Sequence, residues 1–223
     1  MPELPPILIA ALTGFLSGLL LSIPVGPVNL TIMNEGARRG FKWAALIGLG
    51  ASVMEVIYCA IAFTGFASFF SRGYVKAVME LASFVFLLGL GMKLLLVKTV
   101  SSENPVEAKI ETKLKPHSAF MIGFVRVMGN PGVLLFWIIL AANFISREWV
   151  APTWDGKGAC ILGVALGTSL WFMGLSWAVS LGHRKFSDKV LLRMEKGSGI
   201  GLLALGAIHG VQIVWEMVQH HKQ

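Results

Sequence analysis

Charge is what this sequence has least of. Asp, Glu, Lys and Arg make up 14% of its 223 residues, against 55% hydrophobic ones, where a soluble domain carries roughly 25% charged residues. A soluble globule is therefore excluded. Cysteine is nearly missing too: Cys59 and Cys160 each stand alone inside an apolar run, so neither a disulfide framework nor a thiolate metal cluster can be assembled from them. No GxxxxGKS or GxxxxGKT string is present to cradle the phosphates of ATP. Energy for any work must come from a gradient or from a partner. The net charge of +7 invites a nucleic-acid reading, but the basic residues are scattered through short links between apolar runs and form no single patch. No nucleic-acid partner, metal or organic cofactor is expected.

What the chain does have is long apolar runs, at about residues 7–34, 43–70, 75–97, 118–145, 158–182 and 197–218. Each reaches the length of about 20 residues that crosses a hydrocarbon core of about 30 Å. They are apolar on every face, which fits helices and not the short alternating strands of a barrel. The first run is preceded by Glu3 and by no Lys or Arg, so it reads as a permanent helix and not as a signal peptide. The expected fold is an all-α integral membrane protein, one transmembrane domain over 1–223. The link at 98–117 is too short to hold a soluble catalytic module, so no enzyme is expected.

Orientation follows from the basic residues. The first, third and fifth links hold twelve of them, among them Arg38, Arg39, Lys42, Lys109, Lys113 and Lys189, while the other links and the tails hold five. By the positive-inside rule the odd links face the cytoplasm and both termini lie outside. The bilayer is thus the chain's permanent partner.

The pattern restarts after the third run. SIPVGPVNL (22–30) is answered by VMGNPGVLL (127–135), with Pro27 opposite Pro131, 104 residues on; ELASFVFLLGLG (80–91) overlies EKGSGIGLLALG (195–206), 115 residues on. Glycine-rich surfaces open the second and fifth helices, IGLGAS (47–52) against LGVALGTS (162–169). The expected architecture is two three-helix repeats, about 7–97 and 118–218, joined by the 98–117 link. An odd number of helices per half makes the copies inverted. Inverted halves admit one arrangement open inward and another open outward, with a solute held near the midplane.

Proline in a helix interior removes a backbone hydrogen bond and costs about 3 kcal/mol. Pro24 and Pro27 flank Gly26 in helix one, and Pro131 follows Asn130 in helix four. Freed backbone groups persist in a bilayer only where they line protein or a wet cavity. The breaks are candidate binding surfaces, half-helix N-termini suiting a carboxylate and C-termini an ammonium. Asn29 and Asn130 add a donor and an acceptor beside each break. The alternative is a pair of tolerated kinks. Glu55, near mid-depth in helix two, is expensive there, which makes it a candidate proton carrier or ammonium partner, or else a carboxyl bonded between helices. Arg126, one turn before Asn130, either attracts an anion or snorkels to the interface. The pairs Gly14 with Gly18, Gly163 with Gly167, Gly197 with Gly201 and Gly206 with Gly210 can build the fold or a homodimer.

These residues carry a resemblance. PVGPVNL (24–30), ARRGFKWA (37–44), GLGASVMEV (48–56) and GNPGVLLFW (129–137) are similar to the lysine-exporter (LysE) family of bacterial amino-acid efflux carriers, over essentially the whole chain. The family's PxGP pattern is matched by Pro24, Gly26 and Pro27, its acidic residue in helix two by Glu55, and its NP pair by Asn130 and Pro131. The resemblance implies an inner-membrane carrier that exports amino acids, driven by the proton gradient or the membrane potential. Two departures stand out: Glu55 replaces an Asp, and Gly132 replaces the Lys of an NPK triplet. Two other readings remain beside it. A divalent-metal efflux carrier needs His, Asp or Cys clusters facing its cavity. A membrane thiol–disulfide carrier needs a Cys beside each break, where this chain has Val, Gly, Asn and Gly.

Overall fold

Long apolar stretches with few breakers dictate helices, and helices are what form. The structure, a computed structural model, describes residues 4–24, 26–65, 118–182 and 188–220 and the helical residues 81, 84–85, 88–89 and 91–96. No strand is found among the described residues. In chain order the helices are α1 (Pro6–Ser22), α2 (Pro27–Arg39), α3 (Phe41–Gly65), α4 (Ala119–Met128), α5 (Pro131–Ser146), α6 (Trp154–Gly182) and α7 (Asp188–His220). By length and composition α3 and α6 can each cross a membrane, and the count rises to four if the bent pairs α1–α2 and α4–α5 are one span each. Most of the third apolar run and all of the 98–117 link lie outside the described residues. The sixth run lies within α7.

The first link is shorter than the sequence suggests. Arg38 and Arg39 continue α2 as its last turn, Lys42 already belongs to α3, and Gly40 alone joins the two helices. Gly40 adopts φ +82, a left-handed conformation that only glycine takes without strain, and its N–H closes the helix on the Gly36 carbonyl at 2.9 Å. The arginines stay helical because basic side chains favour the carbonyl end of a helix. Each also meets Glu35 one turn back, Arg39 at 2.9 Å and Arg38 at 3.6 Å, and the Arg39 guanidinium lies 4.5 Å from the centre of the Trp43 ring. Helix α6 likewise begins four residues before the apolar run does. Its first turn packs Lys157 at 7% exposure, with the ammonium over the Trp154 ring.

Two helix crossings organise the core. α1 lies against α6 and α3 against α4, and glycines bring the backbones together. A Cβ on Gly18 would meet the Val164 carbonyl at 2.8 Å, and one on Gly167 would overlap the Phe15 carbonyl. In the other crossing a Cβ on Gly123 would overlap the Ile47 carbonyl and one on Gly50 the Phe120 carbonyl. The positions correspond in register: Phe15 and Gly18 precede Phe120 and Gly123 by 105 residues, and Ile47 and Gly50 precede Val164 and Gly167 by 117. Small residues drive helix association in lipid, where apolar burial contributes nothing between helices. Two of the four GxxxG pairs, Gly14 with Gly18 and Gly163 with Gly167, thus build the α1–α6 crossing. The remaining core is filled by Ile32, Ile47, Phe63, Trp137 and Val164, each at 1% exposure or less.

Overpacking such a contact costs about 1–3 kcal/mol. Gly123→Ala should lower the thermal midpoint of the detergent-solubilised protein by several degrees. Gly174→Ala, where a Cβ meets nothing within 4 Å, should leave the midpoint unchanged or raise it slightly.

Candidate functional site

The two breaks share one physical problem, the backbone groups that a stopped helix leaves without partners. The axes of α1 and α2 differ by 69° across the break between Ser22 and Pro27, and those of α4 and α5 by 67° across the break between Met128 and Pro131. Pro27 and Pro131 are each the first residue of the second half-helix. There the missing N–H would have had no partner anyway, so neither proline pays the cost it would carry in a helix interior.

At the first break the accounting runs through Asn29, which is 2% exposed. Its amide nitrogen donates to the Ser22 carbonyl at 2.8 Å and to the Pro24 carbonyl at 2.6 Å. Its oxygen accepts from the Trp171 indole N–H of α6 at 3.2 Å. Pro24 also accepts from the Gly26 N–H at 2.9 Å. The N-terminus of α2 has no side-chain cap, and a Cβ on Gly26 would meet nothing within 4 Å. The guanidinium of Arg126, from the last turn of α4, stands 3.5 Å from the Pro27 carbonyl. That is long for a hydrogen bond, but it places a positive charge at the start of α2.

At the second break the Gly129 N–H returns to Val125 at 2.8 Å and the Asn130 N–H to Val127 at 3.0 Å. The Asn130 side chain accepts from the Gly132 N–H at 3.1 Å and caps α5. The last carbonyl of α4, that of Met128, accepts from the Tyr58 hydroxyl of α3 at 2.8 Å. One turn earlier on α3, Glu55 accepts a hydrogen bond from the Trp137 indole N–H of α5.

The residues singled out from the sequence fall into two groups. Pro24, Gly26, Pro27, Asn29 and Arg126 gather at the first break. Asn130 and Pro131 form the second, and Glu55 reaches it through Trp137 and through its neighbour Tyr58. The last turn of α4 joins the groups, since Arg126 faces the first break and Met128 ends at the second. Three partners were not foreseen: Tyr58, Trp137 and Trp171. One signal for them was legible, because Tyr58 is one of only two tyrosines and lies one helical turn from the acid of the second helix. Among the described residues no three His, Cys, Asp or Glu side chains cluster as a metal would require. Cys59 and Cys160 are free thiols buried in α3 and α6.

Comparison with known proteins places these features in a context. The model of the family described as LysE type translocator matches residues 19–211. A protein of Bacillus subtilis (strain 168) named "Putative amino acid efflux protein YcgF" is 27% identical over 203 residues, spanning 90% of this chain and 95% of that one. The arginine exporter protein ArgO of Klebsiella pneumoniae (strain 342) is 28% identical over 198 residues, 87% of each chain. ArgO of Escherichia coli (strain K12) is 27% identical over 165 residues, 73% of this chain and 74% of its own. No solved structure matches.

The Glu55 contact makes an ordered prediction. Trp137→Phe leaves a carboxyl oxygen without its donor and should cost about 1–3 kcal/mol of stability. Glu55→Gln keeps an oxygen that can accept the same N–H and should cost less than half as much. Unfolding of the purified variants in detergent, followed by tryptophan-independent circular dichroism, measures both.

Proposed function

Because the chain belongs to the LysE type translocator family, we propose that it exports amino acids or close derivatives from the bacterial cytoplasm by alternating access. The observation that carries this reading is the adjacency of the two breaks, with Arg126 of one facing the Pro27 carbonyl of the other. Broken helices whose ends meet inside a membrane domain are where carriers hold a polar solute. Both charges of an amino acid find a counterpart in this arrangement. The uncapped N-terminus of α2, with the Arg126 guanidinium beside it, suits a carboxylate. Glu55 on α3 suits the ammonium, and in exchanging its partner Trp137 for a solute or a proton it would link loading to the driving gradient. The relatives' printed names, amino acid efflux and arginine export, support the substrate class.

The same reading makes the two halves inverted copies, with both termini outside and the odd links in the cytoplasm. Matching registers at the two glycine crossings support it, because a repeated unit packs its second helix on the other unit's first helix in the same way twice. Alternation then requires two conformations within a few kcal/mol of each other, as two packings of near-equivalent halves provide. Coupling to the proton gradient or to the membrane potential completes the cycle. A divalent metal ion as the cargo is disfavoured, since the described residues group no ligand set for it.

Counterflow in proteoliposomes tests this. Vesicles preloaded with unlabelled solute should accumulate labelled amino acid and fail to accumulate labelled divalent metal. Glu55→Gln should reduce gradient-driven uptake by about tenfold or more while retaining part of the gradient-free exchange, as expected for the loss of one buried charged partner worth roughly 1.5–3 kcal/mol. Metal uptake without amino-acid exchange would overturn the reading.

A further inference from the structure

Each break is held by a hydrogen-bond donor that comes from the opposite half of the chain. The Tyr58 hydroxyl, on α3, ends the second break by donating to the Met128 carbonyl at 2.8 Å. The Trp171 indole, on α6, steadies the first break through the Asn29 oxygen at 3.2 Å. Asn29 in turn holds the Ser22 and Pro24 carbonyls. The two donors sit on the two helices that make the glycine crossings, α3 on α4 and α6 on α1. Both are aromatic side chains with a single polar hydrogen, wide enough to keep position by packing and able to let go by losing one bond.

We propose that Tyr58 and Trp171 are paired positioning residues that clamp the two breaks in the conformation described here, and that a change of access requires both to release. The proposal rests on the alternating-access reading above. Its physical basis is the local accounting. When Tyr58 withdraws, the Met128 carbonyl needs another donor. When Trp171 withdraws, the Asn29 amide is no longer steadied, and the Ser22 and Pro24 carbonyls are free to turn toward a solute ammonium or water. The clamps thus favour one of two conformations without touching the solute. Neither residue is predicted to set which amino acid is carried.

The test uses the intact chain in proteoliposomes with Gly26→Cys as a reporter, a position with open space around its Cβ. The native Cys59 and Cys160 are fully buried and contribute little background. Membrane-impermeant thiol reagent is applied to each side in turn, without solute, and the ratio of the two labelling rates is compared in the parent, Tyr58→Phe, Trp171→Phe and the double variant. Each single variant should shift the ratio by about two- to tenfold, the range that one neutral hydrogen bond allows. Both shifts should run in the same direction, and the double variant should exceed either. Trp171→His, which restores a ring N–H, should recover part of the shift. A purely structural role would lower the yield of folded protein and leave the ratio alone. An unchanged ratio in folded Tyr58→Phe, or opposite shifts in the two variants, would overturn the proposal; Tyr58→Phe removes a single hydroxyl and decides the matter if Trp171→Phe does not fold. The ratio needs no solute, and solute exchange is measured on the unsubstituted chain with Gly26 in place, so failure of that chain to exchange any amino acid would refute the transport reading separately.

Discussion

A peptide group without a hydrogen-bond partner is costly in hydrocarbon, and the architecture of this chain turns on that constraint. Two helices stop and restart in the middle of apolar runs, and every carbonyl traced at the stops is answered. Asn29 covers Ser22 and Pro24, Tyr58 covers Met128, and the backbones of Gly129 and Asn130 cover Val125 and Val127. The interruptions are stable because polar side chains from other helices are brought to them.

Close backbone approach makes this delivery possible. At the α3–α4 and α1–α6 crossings a single methyl group would collide with a neighbouring carbonyl; Tyr58 reaches across the first to Met128, and Trp171 of α6 reaches Asn29 on α2, just past the end of α1. Packing and chemistry are therefore one design. The glycines set the distance and the aromatic donors use it. Both crossings place their glycines at fixed register offsets, 105 residues from α1 to α4 and 117 from α3 to α6.

Much of this was legible from residue order, and the rest was not for identifiable reasons. Apolar runs mark α3 and α6 because hydrocarbon demands length and uniformity, and the prolines mark both breaks because few other residues stop a membrane helix. The corner at Gly40 escaped notice. Basic residues read as a link by composition, yet Glu35 and the helix dipole keep Arg38 and Arg39 helical. The start of α6 was missed in the same way, since Lys157 is polar by type but buried. Of the candidate site, the positions at the breaks and the acid at Glu55 could be named in advance. Their partners Trp137 and Trp171 could not, because pairings between residues 82 and 142 positions apart in the chain leave no trace in local spacing.

Gly40 has one more implication. With a single residue between them, and with a methyl group on Gly36, were one added, only 3.1 Å from the Ala44 Cβ, α2 and α3 form a tight angle bracket. Pro27 lies on one arm of it and Glu55 on the other. A single residue spans at most about 3.6 Å, so the adjoining ends of α2 and α3 cannot separate, and any change in the angle between the arms must pivot at Gly40.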